Sequence, residues 1–140
     1  MRWHRRTPAV AGLLWTLALG GCTASRPAAE APVKVTDIDV GRSLTSGKTI
    51  AETTDAFRPA DTFYVSVETN GSGPTATLVA RWTYQDGQVV DESRQNFAPT
   101  GNATVTEFHV SKPDGWPAGG YKVEVLLNGT AAGTRDFKVT

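Results

Sequence analysis

The sequence contains few of the residues from which metal sites and cross-links are built. Among its 140 residues there is one cysteine, Cys22, and there are two histidines, His4 and His109. A single cysteine cannot form an internal disulfide, and this set is too small for the usual zinc sites. We therefore expect no metal, no cofactor and a domain stabilised by its apolar core alone.

An excess of charge of one sign is also lacking. The 14 Lys and Arg residues balance the 14 Asp and Glu residues. Proteins that bind nucleic acid through its phosphates usually carry a basic patch and a high isoelectric point. The composition therefore predicts that nucleic acid is not a partner.

No hydrophobic run is long enough to cross a bilayer. The longest one, residues 9–19, spans eleven residues, whereas a spanning helix needs about 20. The run follows a basic start with Arg2, Arg5 and Arg6 and ends at Leu19-Gly20-Gly21-Cys22. This order is typical of a cleaved export signal, which we assign to residues 1–21.

The end of this signal resembles the lipobox of bacterial lipoproteins. In that family a leucine lies three positions before the cysteine, small residues fill the two positions between, and the cysteine is acylated and becomes the first residue. The resemblance implies lipidation of Cys22, attachment to a membrane through that lipid and a location in the bacterial envelope. Thr23 replaces the Asp that marks inner-membrane retention in this class, which implies the outer membrane, facing the periplasm.

Processing at Cys22 changes the charge and divides the chain. It removes three of the 14 basic residues and none of the acidic ones, which leaves 119 residues with a net charge of −3. Residues 22–32 are then the lipidated cysteine and a flexible tether rich in small residues and proline. Its ten residues after the cysteine reach at most about 33 to 36 Å, which keeps the domain close to the bilayer.

From residue 33 to residue 140 the apolar pattern has the period of β-strands. Short alternating runs separated by turn residues predict seven strands, at residues 33–40, 62–69, 76–84, 88–94, 103–110, 121–127 and 134–139. The pairs Asp86-Gly87 and Asn128-Gly129 predict tight hairpin turns. The expected fold is all-β, a single antiparallel β-sandwich of about seven strands in one domain.

Two segments carry a further resemblance. Residues 80–90 resemble the tryptophan-bearing third strand of immunoglobulin-like domains, and residues 118–125 are similar to their tyrosine-corner strand. The resemblance implies that Trp82 lies at the core centre and that Tyr121 hydrogen-bonds across the corner. Because Val123 stands where antibody domains have a cysteine, the looser immunoglobulin-like or fibronectin type III-like class is expected.

The residues that catalysis would need are sparse, and we expect no enzyme. His109 alternates with Phe108 and Val110, so it is predicted to face solvent from an outer strand. Residues 41–49 resemble a phosphate-binding loop only superficially, since five residues rather than four separate the two glycines. A plain polar loop is expected there.

The strongest candidate for binding is the loop at residues 112–120, which is rich in glycine and proline. Lys112, Asp114 and Trp116 are its candidate binding residues. An exposed Trp116 would anchor a partner, whereas a buried Trp116 would close the end of the core. The sequence leaves both alternatives open.

The expected function is therefore a non-catalytic binding or assembly module with an envelope protein as its partner. One alternative is an inhibitor of an envelope protease or of lysozyme, which would act through the loop at residues 112–120. Another is a binder of cell-wall glycan, which would need Trp116, Trp82 or Tyr84 exposed as a stacking platform.

Overall fold

The computed structural model describes residues 31–140, which form eight β-strands and no helix. The predicted signal peptide, Cys22 and most of the tether lie outside the described residues. The strands are β1 (Lys34–Gly41), β2 (Ala56–Phe57), β3 (Phe63–Asn70), β4 (Ala76–Tyr84), β5 (Gln88–Phe97), β6 (Thr104–Val110), β7 (Gly119–Leu127) and β8 (Thr130–Val139). None of residues 31–140 forms a helix that is long and apolar enough to span a membrane.

The strands form two sheets. One has the order β1-β3-β6 and the other the order β2-β8-β7-β4-β5. Neighbours are antiparallel except β2 and β8, which are parallel. The predicted all-β sandwich is therefore confirmed, with β1 and β3 to β8 matching the seven predicted strands.

The differences from prediction concern short or polar segments. β2 was missed because two residues cannot show a period, although Phe57 is fully buried. β5 continues to Phe97 and β8 begins at Thr130. Apart from Phe97 these extensions are polar or small, so hydrophobic alternation does not mark them, and pairing with β4 and β7 defines them instead.

The core between the sheets is rich in aromatic rings. Trp82 has no exposed surface and lies at its centre, as the sequence predicts. Phe63 contacts Phe57, Phe137 and Trp82 with ring centroids 4.7 to 6.1 Å apart. Large rings that bury their whole surface contribute strongly to stability, and they take the place of the missing disulfide.

One predicted turn is confirmed and the other is corrected. Asn128 and Gly129 have φ angles of 50° and 84°, as a two-residue hairpin turn requires. Between β4 and β5 the turn has three residues, and the positive φ angles belong to Gln85 and Gly87 rather than to Asp86-Gly87. The Gln85 N–H donates to the Gly120 carbonyl at 2.9 Å, which extends the β4–β7 pairing by one residue.

The sandwich has two ends with different contents. The proximal end, where the described chain begins, holds Ala31, whose carbonyl accepts from the Ser72 N–H at 2.9 Å, and the loop at residues 98–103. The distal end holds the long connection at residues 42–62, the β4–β5 turn and the loop at residues 111–118. The predicted binding loop therefore lies at the end opposite the start of the domain.

Candidate functional site

Trp116 is buried in the loop at residues 111–118, with 6% of its surface exposed. Its ring stacks on Phe63 at a centroid distance of 4.4 Å. Its indole N–H donates to the Asp61 carbonyl at 2.9 Å and its backbone N–H to the Pro59 carbonyl at 2.8 Å. Trp116 therefore closes the distal end of the core, which is the buried one of the two alternatives that the sequence left open.

Two tyrosines hold the following part of the loop. The Tyr121 hydroxyl donates to the Pro117 carbonyl at 2.7 Å, which is the corner hydrogen bond that the resemblance implied. The Tyr84 hydroxyl donates to the Ala118 carbonyl at 2.8 Å, and the two rings lie 4.7 Å apart. Burial, and secondarily the neighbouring Tyr84, raise the pKa of Tyr121. The second half of the loop, from Trp116 to Ala118, is thus held in place by hydrogen bonds.

The tip of the loop is exposed and borders two surface hollows. A turn closed by the Gly115 N–H and the Lys112 carbonyl, 2.9 Å apart, forms the tip. Lys112 and Asp114 are both exposed there. Lys112 borders hollows on both sides of the loop, whereas Asp114 borders only the one shared with Pro59. The structure therefore brings Lys112 and Trp116 to one groove and leaves Asp114 outside it.

This groove, which we call the distal groove, lies between the loop at residues 111–118 and the start of β5. It has a volume of about 620 Å³. Its apolar lining comes from Tyr84, Val89, Val90, Val110, Pro113 and Pro117, and its floor from Trp116 and Tyr121. The polar members are Gln88, Asp91, Ser111 and Lys112. An apolar groove with a few polar groups at its rim is typical of a binding site.

Sequence reasoning missed Val89, which is the most unusual residue of the groove. It is 54% exposed, and it is the one large hydrophobic residue that stands out as exposed within residues 31–140. The pairing of β4 with β5 jumps from Trp82–Asp91 to Thr83–Val89, so that Val90 is an extra, unpaired residue. Val90 packs against the core and Val89 does not. The sequence signal for this irregularity is the pair of adjacent valines. In a regular strand adjacent residues face opposite sides of the sheet, so one of the two valines must be exposed unless the strand has a bulge.

A larger hollow of about 790 Å³ lies on the outer face of the five-stranded sheet, and most of the residues that border it are polar or charged. It is bordered by Asp55, Thr83, Gln85, Lys122 and Asp136 together with their neighbours. Lys122 and Asp136 face each other at 3.9 Å. Both of these side chains are largely exposed to solvent.

His109 lies on β6, an outer strand, and its side chain is 57% exposed. Its ring contacts Glu107 at 3.0 Å and lies 5.4 Å from the ring of Tyr64. The predicted solvent-facing position is therefore what the structure has. Within residues 31–140, no group of three or more His, Cys, Asp or Glu side chains is placed to hold a metal ion.

The segment at residues 41–49 is a polar loop. Leu44 pairs with Ile50 across it, and the Thr45 N–H donates to the Thr49 carbonyl at 2.8 Å. Gly41 ends β1 in a crowded place, where an added Cβ would lie 2.5 Å from the Glu52 carbonyl oxygen. The glycine thus serves close packing of the backbone, and the plain polar loop expected from the spacing is present.

Comparison with known proteins gives likeness of fold only. The sequence matches no protein-family model and no curated protein. An immunoglobulin-like protein from Pseudomonas aeruginosa is similar in structure, with a TM-score of 0.52 and 19% identity over 80% of this chain and 99% of that one. Residues 31–140 form an immunoglobulin-like β-sandwich. The immunoglobulin-like domain keeps the expected places of Trp82 and Tyr121, and the fully buried Val123 occupies the position of the missing cysteine.

A second similar structure belongs to a protein of another kind. An alkylpurine DNA glycosylase from Pseudomonas fluorescens, bound to DNA containing an abasic site analogue, has a TM-score of 0.51 and 17% identity. The match covers 78% of this chain and 30% of the glycosylase. At this identity the likeness concerns the immunoglobulin-like fold alone, and nothing about the activity of the glycosylase follows for this chain.

Proposed function

We propose that this chain is a lipid-anchored, non-catalytic binding module of the bacterial envelope, and that its protein partner docks in the distal groove. The exposed Val89 beside that groove is the observation that carries the proposal. Exposed aliphatic side chains next to an apolar groove lose contact with water when a partner covers them. The rigid loop on the other wall needs no ordering when the partner binds, which favours affinity.

The position of the groove supports an anchor at the N-terminus. The domain begins at the proximal end and the groove lies at the distal end, which the strands of eight to ten residues separate. At about 3.3 Å per residue this separation is about 26 to 33 Å. A lipid on Cys22 therefore leaves the groove accessible above the bilayer, in reach of a partner at the same membrane.

The anchor is tested by labelling cells with radioactive fatty acid. The native chain is expected to take up the label and to sediment with membranes. Both properties are expected to be lost in Cys22→Ala. The chain has no second cysteine, so the variant is a clean control. Label and membrane partition that persist in Cys22→Ala would overturn the anchor.

The groove is tested by capturing envelope proteins after chemical crosslinking in intact cells. Val89→Asp places a charge beside the apolar lining, and it is expected to abolish capture of a discrete partner. Ala132→Asp adds the same charge at an exposed position of β8 near the proximal end, and it is expected to leave capture unchanged. Equal capture by both variants contradicts docking in the distal groove.

The rigid tip of the loop supports the inhibitor alternative. Protease inhibitors present a preformed loop, and here Trp116, Tyr84 and Tyr121 fix the loop while Lys112 and Asp114 stay exposed. Residual activity of envelope proteases and of lysozyme would be measured with the native domain and with Lys112→Ala/Asp114→Ala. Inhibition that the double substitution removes would favour this alternative over assembly.

The glycan alternative has less support. Sugar binding by stacking needs an exposed aromatic face, and both Trp82 and Trp116 are buried. Tyr84 is the remaining ring, and its hydroxyl is already bonded to the Ala118 carbonyl. Pull-down on isolated peptidoglycan with Tyr84→Ala as the control would test it.

A further inference from the structure

The longest open strand edge in the described part of the chain belongs to β5. This strand of ten residues ends the five-stranded sheet, so one of its edges has no partner strand. The corresponding edge of β6 is partly covered, because the Gln95 side chain donates to the Glu107 carbonyl at 2.6 Å. The end of β1 is covered by the Thr54 N–H, which donates to the Val40 carbonyl at 3.0 Å. An uncovered edge presents backbone groups that a further strand can pair with.

The residues on the two sides of Ser93 in β5 carry opposite charges. Glu92 and Arg94 lie on the outer face of the sheet, opposite Arg81 and Val79 of β4. When two β5 strands are laid antiparallel with Ser93 opposite Ser93, Glu92 of each copy lies opposite Arg94 of the other. In the same register Asp91 lies opposite Gln95, a carboxylate opposite an amide. Pairs of opposite charge directly across two strands stabilise their pairing.

The neighbouring registers lack this complementarity. In a joined sheet, the outer faces of the two copies lie on the same side only if a residue of β5 pairs with the same residue of the other copy. The two-fold axis then passes between these two equivalent residues. Axes at Asp91, Glu92 and Arg94 therefore place like charges opposite each other, which destabilises pairing. The axis at Ser93 places two opposite-charge pairs there instead.

We propose that two copies of this chain associate through antiparallel pairing of their β5 edges, in the register centred on Ser93. The two five-stranded sheets then continue across the two-fold axis as one sheet of ten strands. Asp91 and Gln95 do not obstruct the approach, since the Ser93 hydroxyl contacts Asp91 at 3.2 Å and Gln95 bonds to β6 of its own copy. This association does not require the partner proposed for the distal groove, although Val90 and Asp91 lie both in the paired segment and in the lining of that groove.

The proposal is tested by sedimentation of residues 22–140 carrying Cys22→Ser over a wide range of concentration. This form retains every described strand, since the strands lie within residues 34–139. A monomer–dimer equilibrium is expected. Arg94→Glu turns two attractive pairs into repulsive ones and is expected to raise the dissociation constant roughly tenfold or more. Arg42→Glu, at an exposed site outside β5, makes the same charge change and is expected to have little effect.

Restoring the complementarity gives the sharper result. In Glu92→Arg/Arg94→Glu the two charges are exchanged, and Arg81→Gln is added because Arg81, which lies 2.8 Å from Glu92 in the same copy, would repel an arginine at position 92. Each copy again presents opposite charges to the other, and dimerisation is expected to recover. The urea midpoint of each variant is measured beside its sedimentation, which separates loss of folding from loss of pairing. A monomer at every concentration, or equal effects of Arg94→Glu and Arg42→Glu, would overturn the proposal.

A cysteine substitution tests the register without changing charge. Paired residues in antiparallel strands have Cα atoms about 4.5 to 5.5 Å apart, within the range of a disulfide. In the Cys22→Ser background, Ser93→Cys is expected to form a disulfide-linked dimer when copper phenanthroline oxidises the two thiols. Asn96→Cys, which would face Val90 of the other copy, is expected to form none. Equal crosslinking of both variants contradicts the register.

Discussion

At the scale of single residues, Trp82 and Trp116 are both buried but differ in what their indole N–H groups contact. The N–H of Trp116 is bonded to Asp61, whereas that of Trp82 is the one buried side-chain polar atom without a hydrogen bond in residues 31–140. Trp82 therefore contributes through packing alone. An unpaired buried donor costs stability, and the fit of the ring among the core strands must outweigh that cost.

Replacing each tryptophan by alanine measures this packing. Trp82→Ala is expected to open a cavity and to lower the free energy of unfolding by about 3 to 5 kcal/mol. Trp116→Ala is expected at the lower limit, about 3 kcal/mol, because its site at the end of the core admits water. Urea unfolding of the two variants gives both values. An unchanged midpoint for Trp82→Ala would contradict its place in the core.

Tyr121 couples the stability of the domain to pH. Burial raises its pKa, so the folded state favours the neutral phenol. Its contribution is fully present below the ordinary tyrosine pKa of about 10 and is lost as the pH rises through the raised pKa. Tyr121→Phe is expected to cost about 0.5 to 1.5 kcal/mol at pH 7, through loss of the bond to Pro117.

When the pH is raised from 9 to about 11, the free energy of unfolding of Tyr121→Phe is expected to fall less than that of the native chain. Urea midpoints measured across that range, with Tyr64→Phe as the control on the outer sheet face, separate the two tyrosines. Parallel pH curves for the native chain and Tyr121→Phe would show that the corner tyrosine is not the titrating group.

At the scale of elements, the start of β7 depends on two adjacent glycines in different ways. Gly119 has a φ of 141°, and an added Cβ would lie 2.5 Å from Nε2 of Gln85 and 3.0 Å from the Tyr84 ring. Gly120 has no unusual φ, and an added Cβ would meet nothing within 4 Å. The first glycine permits the loop to approach the β4–β5 turn, and the second does not have this role.

Alanine at each position tests this difference. Gly119→Ala is expected to destabilise the domain by about 1 to 3 kcal/mol, since it combines backbone strain with a steric clash. Gly120→Ala is expected to change stability by less than about 1 kcal/mol. Thermal unfolding of the two variants is sufficient, and similar losses in both would contradict the local geometry.

The strands with strong apolar alternation could be predicted from the sequence, and the site could be predicted only in part. In β7, Tyr121, Val123 and Val125 point inward at every second position, so the face and the element followed from the pattern. The bulge at Val90 could not be predicted, because it arises from pairing with β4 rather than from any local preference. The groove needs both the bulge and the loop, which lie far apart in sequence.

The burial of Trp116 has a similar cause. Its loop reads as a rigid exposed segment, and the residues that cover it, Phe63 and Asp61, come from another part of the chain. Local sequence identified the loop but not the direction of its tryptophan. The candidate residues Lys112 and Asp114 lie at the exposed tip, where polar residues need no long-range partner.

At the scale of the whole molecule, the domain has an asymmetric arrangement. The described chain begins at the proximal end, and the distal groove opens at the other end beside the exposed Val89. With a lipid on Cys22, the tether and the domain together set how far from the bilayer the groove lies. A partner at the same membrane then meets the groove at a high local concentration, as linked binding sites do.

The most direct test of this account is photocrosslinking in living cells from a light-activated residue placed at position 89. A discrete adduct with another protein, distinguished by mass from an adduct between two copies of this chain, is expected from position 89 and not from position 132 near the proximal end. The same adduct is expected to fall sharply when Cys22→Ala removes the anchor, because the partner is then no longer concentrated at the membrane. Equal adducts from both positions, or an adduct at position 89 that Cys22→Ala leaves unchanged, would contradict a membrane-anchored module that binds through its distal groove.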